Sequence, residues 1–426
     1  MPPSTRPPER PVGTLQLLAL GINGIVGVGI FFVPAAVAAR APGLGTVAVF
    51  ALTGLALLPA AATFAILGRR FDVDGGPVVF ARAAFGESLA FLVGWVAYVS
   101  AFFSTAAVVA GLTNATAAAL GVESALVRHA AAVGLVLLFT LVIASGIRLS
   151  ARVWTALTVL KLVPLVLLLA AYAARRGGLP APPAATFSLD WLRAGLTVMF
   201  ALQGFEIVPV IAGQVRASSR AVPVATLGSL GISIVLYVGL ALACVEALPG
   251  LASSAAPLAD SAGVLGGPSL MHLVAAGTSV SALGISFGMM VTTPRYLSAL
   301  AAGERQLFHL DRESARGVPL RALVVTALLV GTLVGFQELG ELFALSSIAV
   351  LMQYGVSAAA LLALVARRRL GLRPKDAWPV VPTLAVAFAL VAFGATAREG
   401  LVAAGTALVG LALLGLARRR GNRPAA

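Results

Sequence analysis

An all-α integral membrane protein of about twelve transmembrane helices is the fold class this sequence predicts, and three observations predict it. Of the 426 residues, 59% are hydrophobic and only 11% are charged, whereas soluble domains carry about 25% charged residues. Mean hydropathy is +0.99, so lipid rather than water must solvate most of the surface. Apolar stretches of about 20 residues, the length that crosses a bilayer, recur from residue 14 to residue 417.

The elements follow in order. Residues 1–13, MPPSTRPPERPVG, are rich in Pro and Arg and read as a cytoplasmic tail, without the short apolar core of a signal peptide. Spans are expected at 14–39, 43–67, 88–111, 127–147, 152–174 and 190–213, then at 222–246, 270–300, 319–336, 339–366, 378–396 and 400–417, with 418–426 as a second tail. Basic residues orient them. With the N-terminus cytoplasmic, Arg40, Arg128, Arg175, Arg176, Arg193 and Arg398 stand on the opposite face, Lys161 falls within a span, and the rest of the 30 Lys and Arg lie at the inner side. The net charge of +14 is therefore a topology signal. The expected location is the inner membrane, multi-pass, with both termini cytoplasmic. Nucleic acid is not an expected partner, because the basic residues are spread over short loops. Anionic lipid is a plausible contact for Arg367, Arg368 and Arg369 and for Arg418, Arg419 and Arg420. One Cys and three widely spaced His, at 129, 272 and 309, argue against a disulfide framework, a metal centre or a cofactor.

Spans one and six are interrupted. "GINGIVGVGI" places Gly21, Gly24, Gly27 and Gly29 in an apolar helix, where each Gly costs about 1 kcal/mol relative to Ala. Such spacing serves either close helix contact or a break. In span six, "FALQGFEIVPVIAG" puts Gln203, Gly204, Glu206 and Pro209 in mid-helix, and proline removes a backbone hydrogen bond. Corresponding breaks in two halves of a chain point to a transport site, since unpaired backbone in hydrocarbon costs several kcal/mol unless a cavity and its ligand satisfy it. The half-helix beyond Gly29 directs amides to the midplane and the one ending near Leu202 directs carbonyls there, so a small zwitterion suits the pair.

Two ionisable residues lie at depth. Lys161 stands about ten residues from either end of span five, roughly 15 Å from each interface at 1.5 Å per residue. The chain has 28 Arg and two Lys, so a lysine there is either a titrating group or a fixed cation for the carbonyls freed by the first break. Glu206 either caps or gates the second half of span six or handles protons directly. Phe200 and Gln203 are pocket residues by position, though packing and helix bonding also account for such residues. Arg295, after Pro294, belongs to the inner end of span eight, either solvated or at an inner gate. A channel would need a symmetric lining or repeated filter, and an enzyme a cluster of His, Asp or Glu within spans; neither is present in the sequence.

The motifs "GVGIF" in span one, "DGGPVVFARAAFGESLAFLVGW" at 74–95, "GFE" in span six and "PRYLSALAAGE" at 294–304 resemble bacterial amino acid permeases of the amino acid–polyamine–organocation superfamily over most of the chain. The resemblance implies a five-plus-five inverted repeat, 14–174 and 190–366, with helices 1 and 6 unwound at the midplane and peripheral helices at 378–417. It implies a substrate carboxylate on the amides of Gly27, Val28 and Gly29. The ammonium would meet carbonyls around Ile25 and at Phe200 and Gln203, with Phe200 as a gating aromatic. Ile25, Val26, Gly27, Val28 and Gly29, with Phe200, Ala201, Leu202, Gln203 and Gly204, form the expected binding set. Lys161 matches the lysine of proton-coupled members. Departures are Val28, often Ser, Thr or Ala in relatives, and Gly213 and Gln214 in place of an acidic pair. With no evident pocket acid, the expectation is a proton-coupled transporter of neutral or apolar amino acids. The alternatives are an exchanger or exporter of the same fold and a transporter-like amino acid sensor.

Overall fold

The computed structural model describes residues 10–179, 181–185, 188, 190–302, 309–334, 339–394, 400–401, 404–406 and 408–412. Apart from one isolated parallel bridge between Val12 and Val215, the regular structure of the described residues is helical. Nine of these helices are long and apolar enough to cross a membrane, or ten if one bent pair is counted as a span. Of the expected span at 400–417, residues 400–401, 404–406 and 408–412 are described and the rest lie outside the described residues.

The first span is that bent pair: α1 (Thr14–Ile25) and α2 (Gly29–Ala38), which meet at 43°. α3 (Leu44–Gly68) leads to a short helix that the apolar pattern did not announce, α4 (Pro77–Phe85). Pro77 at its first turn supplies a pre-set φ where a missing amide costs nothing. Then come α5 (Glu87–Ala119), α6 (Ala125–Ala144) and α7 (Ile147–Arg175). The sixth expected span is α8 (Asp190–Leu202) followed by a 3₁₀ segment, Phe205–Gln214, rather than by a second α-helix. Pro209 within the segment and Ile211 at φ −109°, ψ 21° keep it from relaxing into α geometry. The kink at Ile211 splits the segment into two shorter pieces, in keeping with the rarity of long 3₁₀ runs.

α9 (Ser218–Ala247) and α10 (Pro257–Ala301) follow. α10 starts earlier than the apolar pattern suggests, with a kink at Gly267 (φ 78°). α11 (Leu320–Leu333) is shorter than the span expected there, and α12 (Leu339–Ala366) and α13 (Val380–Gly394) complete the described helices.

The distribution of polarity is that of a protein solvated by lipid. On α7, Ser150, Trp154, Thr158 and Lys161 are buried, while Val159, Leu160, Val163, Val166 and Leu167 are exposed. Leu137, Leu138 and Leu141 are likewise exposed on α6. Contiguous apolar surface on this scale marks a membrane-facing wall rather than a water-facing one.

Candidate functional site

The four glycines of the first break divide into two jobs. A Cβ on Gly21 would stand 2.6 Å from Ser229 Oγ on α9, and one on Gly24 2.5 Å from Ile207 Cδ1, so these two admit close neighbours. Gly27 and Gly29 flank the chain's exit from helical geometry: α1 ends at Ile25 and α2 begins at Gly29. Both functions proposed for such spacing therefore coexist in one segment.

At the break, the Gly27 amide donates to Ile25 O at 2.7 Å and is not free for a ligand as the family pattern implied. The amides of Val28, Gly29 and Ile30 have no acceptor among the described residues, as expected for the first turn of a helix. The freed carbonyls are mostly occupied. Ile25 O also accepts from Tyr237 on α9 at 2.9 Å. Asn23 O accepts from Lys161 Nζ at 2.8 Å, and Val26 O accepts from Lys161 Nζ and, at 3.1 Å, from Ser281 Oγ on α10.

Lys161 thus ends a seam that holds α7 against α1. Along one face of α7, Trp154 Nε1 donates to Gln16 O at 2.8 Å and Thr158 Oγ1 to Ala19 O at 3.0 Å, with Lys161 next. Residues spaced by four and three share a helix face, so the lysine is delivered to the break by regular packing. Asn23 settles between Gly284 and Gly288 of α10, where a Cβ at either position would meet its amide group at 2.7 Å, and Asn23 Nδ2 donates to Gly284 O at 2.6 Å.

The second break lies against the first. Gly204 has φ 129°, and a Cβ there would stand 2.4 Å from Gly24 C and 2.6 Å from Ile25 N. Only glycine tolerates both that backbone and that contact. The Met199 carbonyl accepts from Gln203 N at 2.9 Å, and α8 ends at Leu202, so the negative end of its dipole lies at the second break. Glu206 Oε2 accepts from Gly204 N at 2.8 Å and from the Tyr354 hydroxyl of α12 at 3.0 Å. The ring of Tyr354 stacks on Phe205 at 5.1 Å, and Phe64 of α3 meets both edge-on. These contacts hold the start of the 3₁₀ segment in place.

Between the breaks is a cavity of about 90 Å³, several times the ~10–15 Å³ that one water needs. Ile25, Gly27, Val28, Gly29, Phe200, Ala201, Gln203, Gly204 and Glu206 line it, whereas Val26 and Leu202 are not on its wall. Lys161 is not on the wall either and reaches the cavity only through the backbone of the break. Sequence reasoning missed the other side of the wall, which α5, α10 and α12 supply through Ser104, Thr293, Tyr296 and Gln353.

At the end of the bundle that carries the N-terminal strap, Val12 N donates to Gln214 O at 3.1 Å and Arg216 N to Val12 O at 2.9 Å. Arg295, 1% exposed, pairs with Asp74 at 2.8 Å and donates to Gly317 O at 2.7 Å. Gly213 N donates to Asp74 at 2.8 Å, and Gln214 Nε2 donates to both oxygens of Glu313, at 3.1 and 2.9 Å. Arg295 is therefore not solvated, and Gly213 and Gln214 each bind an acid, Asp74 and Glu313. Partial burial, then the charge of Asp74, pushes the Glu313 carboxyl above its usual range. The cluster forms part of the wall of a second hollow of about 730 Å³.

A family model described as amino acid permease matches residues 12–407. An uncharacterized transporter of Mycobacterium tuberculosis is 30% identical over 409 residues, covering 91% of this chain and 88% of that protein. The branched-chain amino acid permease of Bacillus subtilis is 26% identical over 418 residues, 90% of this chain and 87% of the relative. The methylthioribose transporter of the same organism is 25% identical over 385 residues, covering 83% and 81%.

Proposed function

The chain belongs to the amino acid permease family, and from that premise we propose that it is a proton-coupled secondary transporter carrying neutral amino acids by alternating access. One observation supports this reading furthest: two interrupted helices meet at Gly24 and Gly204, with free amides on one side of a cavity and a helix C-terminus on the other. The substrate carboxylate takes the amides of Val28, Gly29 and Ile30. Its ammonium takes the carbonyl end of α8, where the helix dipole is negative.

On this reading the chain makes two inverted five-helix repeats, 14–174 and 190–366, with 378–417 peripheral, for twelve spans and both termini cytoplasmic. Phe200 and the Arg295–Asp74 cluster close the cavity on opposite sides. Lys161 links the proton to the break: a neutral amine keeps two N–H donors for Asn23 O and Val26 O, so losing a proton loosens this anchor without abandoning it. Relatives named for methylthioribose and for branched-chain amino acids differ in substrate, so the wall of this cavity decides selectivity here.

A second reading, exchange without protons, has support in the same geometry, because a lysine held by two carbonyls also serves as a fixed cation. Uptake of a panel of labelled amino acids into liposomes, with an inward proton gradient and no sodium, separates the two. The expected result is uptake that collapses when the gradient is dissipated. Uptake that ignores the gradient and follows amino acid loaded inside would establish exchange. No uptake of any amino acid by folded protein would sink the substrate class.

A further inference from the structure

Three polar side chains on the far wall of the cavity have nothing to bond to. Ser104 of α5, Thr293 of α10 and Gln353 of α12 are 5%, 0% and 4% exposed, and Ser104 Oγ, Thr293 Oγ1 and Gln353 Oε1 lack any hydrogen-bond partner among the described residues. All three line the cavity. A hydroxyl in a buried helix ordinarily bonds the carbonyl four residues back. The adjacent residues do so: Thr105 Oγ1 donates to Ala101 O at 2.7 Å, and Thr292 Oγ1 to Gly288 O at 3.1 Å. Ser104 and Thr293 depart from that habit, at two positions on different helices that share one cavity.

Buried polar atoms are almost always paired. Three orphans converging on one space, opposite the two breaks, mark where a ligand brings its own donors and acceptors. The charge of that ligand is constrained as well. Among the described residues Glu206 is the one acid on the wall, and its Oε2 is engaged by Gly204 N and the Tyr354 hydroxyl. No Lys, Arg or His among the described residues stands on the wall. An anionic side chain therefore meets no cation there, and a cationic one meets only a carboxylate already engaged by two donors.

We propose that Ser104, Thr293 and Gln353 form a side-chain subsite that selects small, uncharged amino acids bearing a hydroxyl or an amide over apolar amino acids of the same shape. This rests on the transport reading above and narrows its substrate class. A site that hydrogen-bonds a substrate group rejects an analogue lacking it more strongly than an apolar pocket discriminates by size, because the protein's buried groups are left unpaired.

The test uses the full chain in liposomes, with labelled threonine and labelled valine as isosteric probes and unlabelled asparagine, leucine and lysine as competitors. Threonine is expected to be preferred over valine by at least about tenfold, and asparagine to compete better than leucine, with lysine ineffective. In Ser104→Ala and Thr293→Val, each checked for an unchanged melting temperature, the threonine-to-valine ratio is expected to fall. If valine and leucine match or exceed their polar isosteres, or if the ratio survives both substitutions, the orphans are satisfied by water and the proposal fails while the transport reading stands. If no amino acid is taken up at all, the transport reading fails, and this proposal fails with it.

Discussion

Replacing Lys161 with methionine is expected to lower gradient-driven uptake at least about 100-fold. The side chain donates charge-assisted hydrogen bonds to Asn23 O and Val26 O, and each bond of that kind is worth about 1.5–3 kcal/mol. Two of them set the position of the first break, and every tenfold in an equilibrium corresponds to about 1.4 kcal/mol. Methionine conserves most of the volume, so the seam of Trp154 and Thr158 against α1 keeps the fold. Val26 O retains Ser281, whereas Asn23 O loses its cation. Arginine in place of Lys161 is not expected to rescue transport, because its planar fork cannot fit a site shaped for one ammonium and it does not release a proton. Counterflow of labelled substrate, which needs no net proton movement, reads the two roles apart. Counterflow kept while gradient-driven uptake is lost identifies a proton-linked group. Loss of both identifies a structural cation.

Gly204→Ala is expected to abolish transport and to lower the melting temperature. The backbone at φ 129° lies where L side chains are strained, worth about 1–3 kcal/mol by itself. The added Cβ would also stand 2.4 Å from the Gly24 carbonyl carbon and 2.5 Å from its oxygen. Neither is the tip of a flexible side chain, so the two broken segments must separate. Gly134→Ala on α6 is the control, because a Cβ there meets nothing within 4 Å. It is expected to leave transport intact and, as an exposed helical Gly→Ala change, to be neutral or stabilising by up to about 1 kcal/mol. Uptake assays and thermal unfolding of the two purified variants side by side make the comparison.

These two positions also show which parts of the site could be read from the chain. The breaks were legible because their cause is local: glycines at 27 and 29, and Pro209 after Gln203-Gly204, disturb helices wherever they fall. Lys161 was legible as a charge too deep to reach either interface. The hydrogen-bonding state of the first break was not. Which carbonyls Lys161, Tyr237 and Ser281 take depends on α7, α9 and α10 packing around α1, and this packing leaves the Ile30 amide free and the Gly27 amide in use.

The far wall was missed for the same reason. Ser104 and Thr293 look in sequence like Thr105 and Thr292, and only the packing shows that one pair bonds its own helix while the other does not. The Arg295–Asp74 pair spans 221 positions of chain, a distance over which sequence pattern carries no pairing information. The pattern that would have hinted at α4 is Gly75-Gly76-Pro77, a turn followed by a helix-starting proline.

The central claim is that bare amides at the first break hold the substrate's carboxylate. Equilibrium binding to the purified protein of an amino acid that the protein transports, compared with the amine that differs from it only by lacking the carboxylate, tests this directly. The account predicts that the amine binds at least about 100-fold more weakly, since it forfeits charge-assisted hydrogen bonds of about 1.5–3 kcal/mol each. Equal affinity for the two compounds would contradict it.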